Sequence, residues 1–448
     1  MEAPFPTFSL ATPQGKDAFG ECLDRLRGTT SLTGDTAETV SGIIEDVRVR
    51  GDAAVVELMQ RFADPEFEAS RIRVEASEFT RAEAALDPEL RGSLERSIAH
   101  VRAYQEHVLP RDPAPVVIGG AELGLRHSAV DSAGLTVPGG AAVLFSTLIM
   151  LAVPALVAGV DPKQIRVVHP PPTRKAGDDD APRDISPIVL ATCRMLGIET
   201  VYRIGGAQAI AALAYGTNTV EPVDLIAGPG NIYGQLAKQM VAGVCGTDGG
   251  FYGPSEIVTI ADDTADAACV ASDLIAQAEH DPGKCFLICW DGAVAAAIVE
   301  EVSRQLVERS RSTIIEQALA RDSAAVLVRD EQEAIAVADQ IAAEHVNLAV
   351  ADPEAWLGRL RHGGEFFLGD QSPVATGDYY AGPSHCLPTG STARFASGVS
   401  VYTFLKRSGT VHYRDGLPSR VIEDVARLAE AEGLDAHAES ARVRGRNR

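Results

Sequence analysis

The sequence predicts an α/β protein with two parallel-sheet units and a helical C-terminal segment, on three observations. From residue 165 onward, short β-branched apolar runs alternate with segments of helical periodicity, as do the strands and crossover helices of a parallel sheet. The alternation yields more strands than one small sheet holds, so it is divided between two units. The first 110 residues are mostly helical, and the end from 418 holds one amphipathic helix and a basic terminus. Apolar residues make up 46% of the 448 and charged residues 23%, enough to bury a core and too apolar for disorder.

The elements follow in order. Apolar residues at helical spacing predict helices over 36–49 and 52–62, punctuated by Gly51, and over 88–108, stopped by Pro110. A short strand is expected over 71–74. Segment 132–160 has no charge and is long enough to span a bilayer, but Pro138-Gly139-Gly140 and Pro154 interrupt it and no basic residues flank it closely. It reads as a buried strand, a glycine loop and a buried helix. Strands over 165–169, 200–204 and 223–227 precede helices over 185–196, 206–215 and 231–241, with a Pro- and Asp-rich loop at 170–183. Strands over 256–260, 285–290 and 324–328 precede helices over 264–279, 292–307 and 331–343. Strands over 346–350 and 366–368 close the series, and the C-terminal helix covers 420–432.

Charge narrows the function. Forty Lys and Arg against 62 Asp and Glu give −22, which repels phosphate backbones and anionic lipid and argues against nucleic-acid or membrane partners. The seven cysteines are odd in number and form no Cys-x-x-Cys pair, and the N-terminus lacks a basic region followed by an apolar run. Reduced thiols in a cytoplasmic protein are expected.

Three glycine-rich turns follow strands: Pro138-Gly139-Gly140, Gly205-Gly206-Ala207-Gln208 and Gly228-Pro229-Gly230-Asn231. None has the G-x-G-x-x-G spacing, yet three in one α/β unit suggest a crevice for a nucleotide or another ligand. Gln277 and His280 lie three apart on one helix face; a helix-end His is also a common cap. Glu344-His345 joins a helix to a strand, and a carboxylate beside an imidazole can move protons near neutral pH, although the dipeptide is also a common surface pair. In the polar loop 377–385, Asp378 and His385 could both ligate a metal.

Taken together and in order, these stretches resemble the histidinol dehydrogenase family. The resemblance runs from about Val40 to His437. It is carried by Ile43-Ile44-Glu45-Asp46-Val47-Arg48 with Gly51-Asp52, by the three glycine turns with the helix start through Gly216, and by Gly253-Pro254-Ser255-Glu256. Gln277-Ala278-Glu279-His280, Glu344-His345, Gly377-Asp378-Tyr379 and Ser384-His385-Cys386-Leu387-Pro388-Thr389 complete it. The resemblance implies two Rossmann-like parallel-sheet units plus a small helical C-terminal dimerisation segment. The implied division is an arm at 1–20, a discontinuous first α/β domain of 21–135 with 256–398, an inserted second domain of 136–255, and a C-terminal segment of 399–448.

The activity implied is oxidation of L-histidinol to L-histidine with two NAD and one zinc ion per subunit. By resemblance, Gln277, His280, Asp378 and His437 match the zinc ligands. His345 matches the general base, with a pKa near the ordinary ~6.5 of imidazole. Glu344 matches the group that activates water on the aldehyde. Ser255 and Glu432 match substrate contacts, as does His385, and Gln208 and Asn231 match NAD contacts. The tail bearing Glu432 and His437 is implied to reach the neighbouring subunit of a homodimer with shared active sites. Thr136 stands where the family has a Tyr that contacts NAD, and Asn347 where an acidic or amide residue is common. Two other readings remain. One is a paralogue acting on another small alcohol such as a sulfopropanediol, which Glu432 would repel; the other is a zinc-containing scaffold without catalysis.

Overall fold

The computed structural model describes residues 5–28, 34–139, 143–173, 184–280 and 283–445. In it the alternation separates into two parallel sheets. The chain divides into two compact units, Met1–Val108 with Asp131–Phe404, and Leu109–Val130 with Leu405–Arg448.

The first unit holds both parallel sheets. One has six strands in the order Thr7–Ser9, Ala324–Leu327, Lys284–Cys289, Glu256–Ala261, His345–Ala349 and Glu365–Leu368. Every residue of its strands 256–261, 284–289 and 345–349 is buried, because helices cover both faces; this is why they read as mainly apolar runs without alternation. The register sets His345 between Ile257 and Glu365.

The other sheet has five strands in the order Thr200–Tyr202, Ile165–Val168, Ala133–Thr136, Leu225–Ala227 and Gly246–Thr247. Its chain order reverses between the strands ending at Thr136 and Ala227, which opens a crevice at their C-terminal ends. The charge-free run becomes the strand Ala133–Thr136 and the helix Phe145–Ala158, whose residues 146–155 are all buried. No helix among the described residues is long and apolar enough to cross a membrane.

The helices Asp35–Arg50 and Asp52–Phe62 lie within the stretch grouped from the sequence with the six-stranded sheet. Their residues Val40, Val47, Val55 and Met59 pack instead with Tyr202, Ile210 and Leu213 in the core of the five-stranded sheet. The alanine-rich face of helix Gly206–Tyr215 lets them approach closely. In place of the strand expected over 71–74 there is a short turn, Ala69–Arg71, and a single bridge from Arg73 to Tyr202. A helix at Ser312–Asp322 had no counterpart in the sequence reading.

The second unit is built on an antiparallel sheet of Leu405–His412, Ala121–Ala129 and Val116–Ile118, which the sequence did not announce. Its helices Ser419–Ala431 and Asp435–Arg442 join through Ala426, Ala429 and Ala438, while Val425 and Leu428 of the first stay exposed. Gly140, Asp281-Pro282 and the 174–183 part of the Pro- and Asp-rich loop lie outside the described residues.

Candidate functional site

The crevice of the five-stranded sheet opens into a cleft of about 1090 Å³. Thr136, Pro138, Gly139, Gly205, Gly206, Gly230 and Asn231 line one side, and Ser255, His280, Glu344, Asp378 and His385 line the other. Residues that are far apart in sequence are thus brought to one cavity.

On the six-stranded side, Glu344 ends the connection from helix Glu331–Ile341, and His345 begins the next strand. Glu344 is buried. Its Oε2 accepts the Ser255 hydroxyl and, at 3.0 Å, the Glu256 N–H. Its Oε1 makes no protein hydrogen bond among the described residues and is not sealed from solvent. Burial pushes its pKa up to about 8, against those two hydrogen bonds.

His345 is 2% exposed and packs against the Phe367 ring at 5.8 Å. Burial drives its pKa down to about 4, against the nearby Asp378 carboxylate, so it departs from the ordinary imidazole value. Its Nδ1 lies 3.1 Å from Gln277 Oε1. A carbonyl oxygen only accepts, so Nδ1 carries the proton and Nε2 keeps its lone pair. That Nε2 is buried without a partner, as is Gln277 Nε2.

Helix Ala267–Ala278 presents Gln277 and, just past its end, His280. The helix Val374–Tyr379 presents Asp378. Burial lowers the His280 pKa, with Asp378 opposing. Burial works to raise Asp378, yet the His385 imidazole beside it holds its carboxyl below the usual range. His385 uses both nitrogens, Nδ1 to the Asp378 carbonyl at 3.0 Å and Nε2 to the Thr147 hydroxyl at 2.9 Å. Burial opposes its protonation, and Asp378 overcomes this and raises its pKa well above the ordinary value.

The amide oxygen of Gln277, the ring of His280 and the carboxylate of Asp378 form a mixed nitrogen and oxygen donor set of the kind that suits zinc. Gln277 Oε1 has a second lone pair beyond the one facing His345. Gln277 Nε2 is a buried donor without a partner among the described residues. Among the described residues no three His, Cys, Asp or Glu side chains converge as a metal cage. Of the four predicted ligands only His280, Asp378 and Gln277 belong to this unit, and one of those is an amide.

On the five-stranded side, the Gly228-Pro229-Gly230 turn is held from below. Lys238 Nζ donates to the Gly228 carbonyl at 2.7 Å and to both Asp248 oxygens at 2.8 and 2.7 Å. Asp248 Oδ2 in turn accepts the Gly228 N–H at 2.7 Å. Gly228 has φ +120°, and a Cβ there would stand 2.6 Å from the Thr136 carbonyl, so glycine is required. The Thr136 hydroxyl donates to the Pro229 carbonyl at 2.9 Å. The Thr136 side chain thus tethers the turn at the position where the resemblance implies an aromatic contact. Asn231 caps the following helix by accepting the Gly234 N–H at 3.1 Å. Gln208 is buried at the foot of the Gly205-Gly206 turn, its amide 3.6 Å from Met59 Sδ.

Glu432 and His437 belong to the second unit, and both are exposed there. Sequence reasoning missed Lys238 and Asp248, which are ten residues apart and meet only through the fold. It also missed Arg311, which lines the cleft near His280. No local motif marks any of the three.

The sequence model of the histidinol dehydrogenase family matches residues 27–445 of this chain. The chain is 40% identical over 443 residues to histidinol dehydrogenase of Rhodopirellula baltica, covering 98% of this chain and 92% of that protein. It is 43% identical over 407 residues to that of Synechococcus sp., covering 91% of each. The crystal structure of histidinol dehydrogenase from Elizabethkingia anophelis superposes with a TM-score of 0.87 at 30% identity, over 100% of this chain and 99% of the other.

Proposed function

Because this chain belongs to the histidinol dehydrogenase family of oxidoreductases, we propose that it oxidises L-histidinol through L-histidinaldehyde to L-histidine, the last step of histidine biosynthesis, with two NAD and one zinc ion per subunit. The observation that carries this reading is the pair at 344–345. His345 keeps an unpartnered lone pair on its buried Nε2, and Glu344 keeps one oxygen fixed by Ser255 and one free beside the cleft.

His345 Nε2 takes the hydroxyl proton as hydride leaves the same carbon for the nicotinamide. Its pKa of about 4 keeps it unprotonated throughout the neutral range. Glu344 Oε1 then removes a proton from the water that adds to the aldehyde, and His345 serves again as the hydrate gives up the second hydride. The Ser255 hydroxyl and the Glu256 N–H hold the carboxylate in place for that step.

Gln277, His280 and Asp378 are the ligands we assign to zinc, together with His437 of the partner subunit. When bound, zinc supplies a template that orients the substrate's amine and imidazole. Thr136, Asn231 and the glycine turns would hold NAD, with Gln208 behind them. Glu432 of the partner subunit would pair with the cationic substrate, and His385 would line its pocket. This makes the active unit a homodimer with shared sites. Seven free cysteines suit a reducing compartment, the cytoplasm.

The test is NADH formation by the zinc-loaded protein from limiting L-histidinol. Two NADH per histidinol are expected. One would mean that the aldehyde escapes, which removes the role given to Glu344. None, with zinc bound, would overturn the substrate.

A further inference from the structure

Asn347 lies two residues beyond His345 on the same strand, so the two side chains share a face. Asp273 and Gln277 lie four apart on helix Ala267–Ala278 and likewise share a face. The two faces meet in two rungs. Gln277 Oε1 faces His345 Nδ1 at 3.1 Å, and one helical turn away Asp273 Oδ2 accepts from Asn347 Nδ2 at 2.7 Å. The other carboxylate oxygen of Asp273 accepts the N–H of Val374 at 3.3 Å. Val374 is the first residue of the helix that carries Asp378. One carboxylate therefore joins the three elements that bear Gln277, His345 and Asp378.

This junction is costly to build. Asp273 is 8% exposed and Asn347 3%, among Ile257, Leu274, Phe367 and Val374. A buried carboxylate with only neutral partners loses its hydration, and an apolar pair of the same volume would pack with less penalty. What the polar pair adds is geometry, because its hydrogen bonds fix the axial register of helix against strand.

We propose that Asp273, acting with Asn347, is a positioning residue for the oxidation, holding the His345 base and the Gln277 and Asp378 ligands in register. The proposal rests on the assignment of those three residues to the active site.

The test uses three variants of the full-length protein: Asp273→Asn, Asn347→Asp, and both together. Asn347→Asp alone sets two carboxylates face to face. Asp273→Asn alone keeps an acceptor for the Val374 N–H and lets Asn347 turn its unpartnered Oδ1 to the new amide N–H, so both hydrogen bonds survive without the charge. The double exchange restores one acceptor to each N–H with the same atoms in place. Asn347→Asp should lose about 10- to 100-fold in kcat and retain zinc more weakly against a chelator, with KM for NAD unchanged, whereas Asp273→Asn should stay within about threefold of wild type. The double exchange should recover kcat to within about threefold and restore zinc retention.

If Asn347→Asp does not accumulate folded, Asn347→Ala breaks one rung and gives the same comparison. Two results would overturn the proposal: an Asn347→Asp protein that loses thermal stability but keeps wild-type kcat and zinc per folded molecule, or a folded double exchange no better than Asn347→Asp. If wild-type protein makes no NADH from histidinol, the substrate reading fails, and zinc retention across the series still decides the positioning role.

Discussion

The pH dependence of the second oxidation follows from how Glu344 is buried. Acting as base toward water requires its ionised form, and burial holds its pKa at about 8. A group of that pKa is only about one-tenth ionised at pH 7 and about nine-tenths ionised at pH 9. Oxidation of supplied L-histidinaldehyde should therefore rise about tenfold between these values, with a midpoint near 8. A cation bound nearby would move the midpoint down, not up. Glu344→Gln isolates the effect, because the amide oxygen can still accept from Ser255 and the Glu256 N–H, where Oε2 now sits. That variant should fold normally, lose about 10²- to 10⁴-fold in aldehyde oxidation, and lose the pH rise. The assay is initial NADH formation from the aldehyde across pH 6–10 for both proteins. A wild-type profile flat above pH 6, or the same rise surviving in Glu344→Gln, would refute the reasoning.

Lys238→Met should leave the fully buried Asp248 carboxylate with little but the Gly228 N–H, at a cost of about 3–5 kcal/mol in urea unfolding. It should also raise KM for NAD several-fold, and unchanged stability together with unchanged KM would count against the tether assigned to the Gly228 turn. His345→Asn should abolish most turnover while zinc content measured by metal analysis stays at one per subunit; normal turnover would remove the base assignment. Asp378→Ala should release zinc, and full retention would reject it as a ligand. An inactive His345→Asn protein mixed with an inactive His437→Ala protein should regain activity through hybrid dimers, whereas no recovery after confirmed subunit exchange would argue against shared sites.

The strands and helices of the parallel sheets were legible because burial on both faces leaves an unambiguous apolar signal, as in Glu256–Ala261. The antiparallel sheet was not. All three residues of Val116–Ile118 are exposed, and Leu405–His412 is exposed at nearly every position, so neither strand carries the alternation that marks a half-buried strand. The site divides in the same way. Glu344-His345 is adjacent in sequence and could be noticed there. Asp273 and Asn347 are 74 residues apart, and no local pattern pairs them. The pKa values were equally hidden, since they depend on neighbours such as Phe367 that only the fold supplies.

Burial acts on the two neighbouring groups in opposite directions, with one consequence for the reaction. It raises Glu344 to about 8 and lowers His345 to about 4, so at pH 7 both are predominantly uncharged. His345 is then an available base at any pH above about 5, whereas Glu344 is available in quantity only near and above 8. The first oxidation needs His345 alone, and the second needs both. The two steps should therefore separate on acidification: from pH 9 to pH 6 the second slows more than the first. Quenched early time points should then show L-histidinaldehyde accumulating at pH 6 and absent at pH 9. Equal slowing of both steps would mean that a single group limits the whole sequence and that Glu344 has no separate part in it.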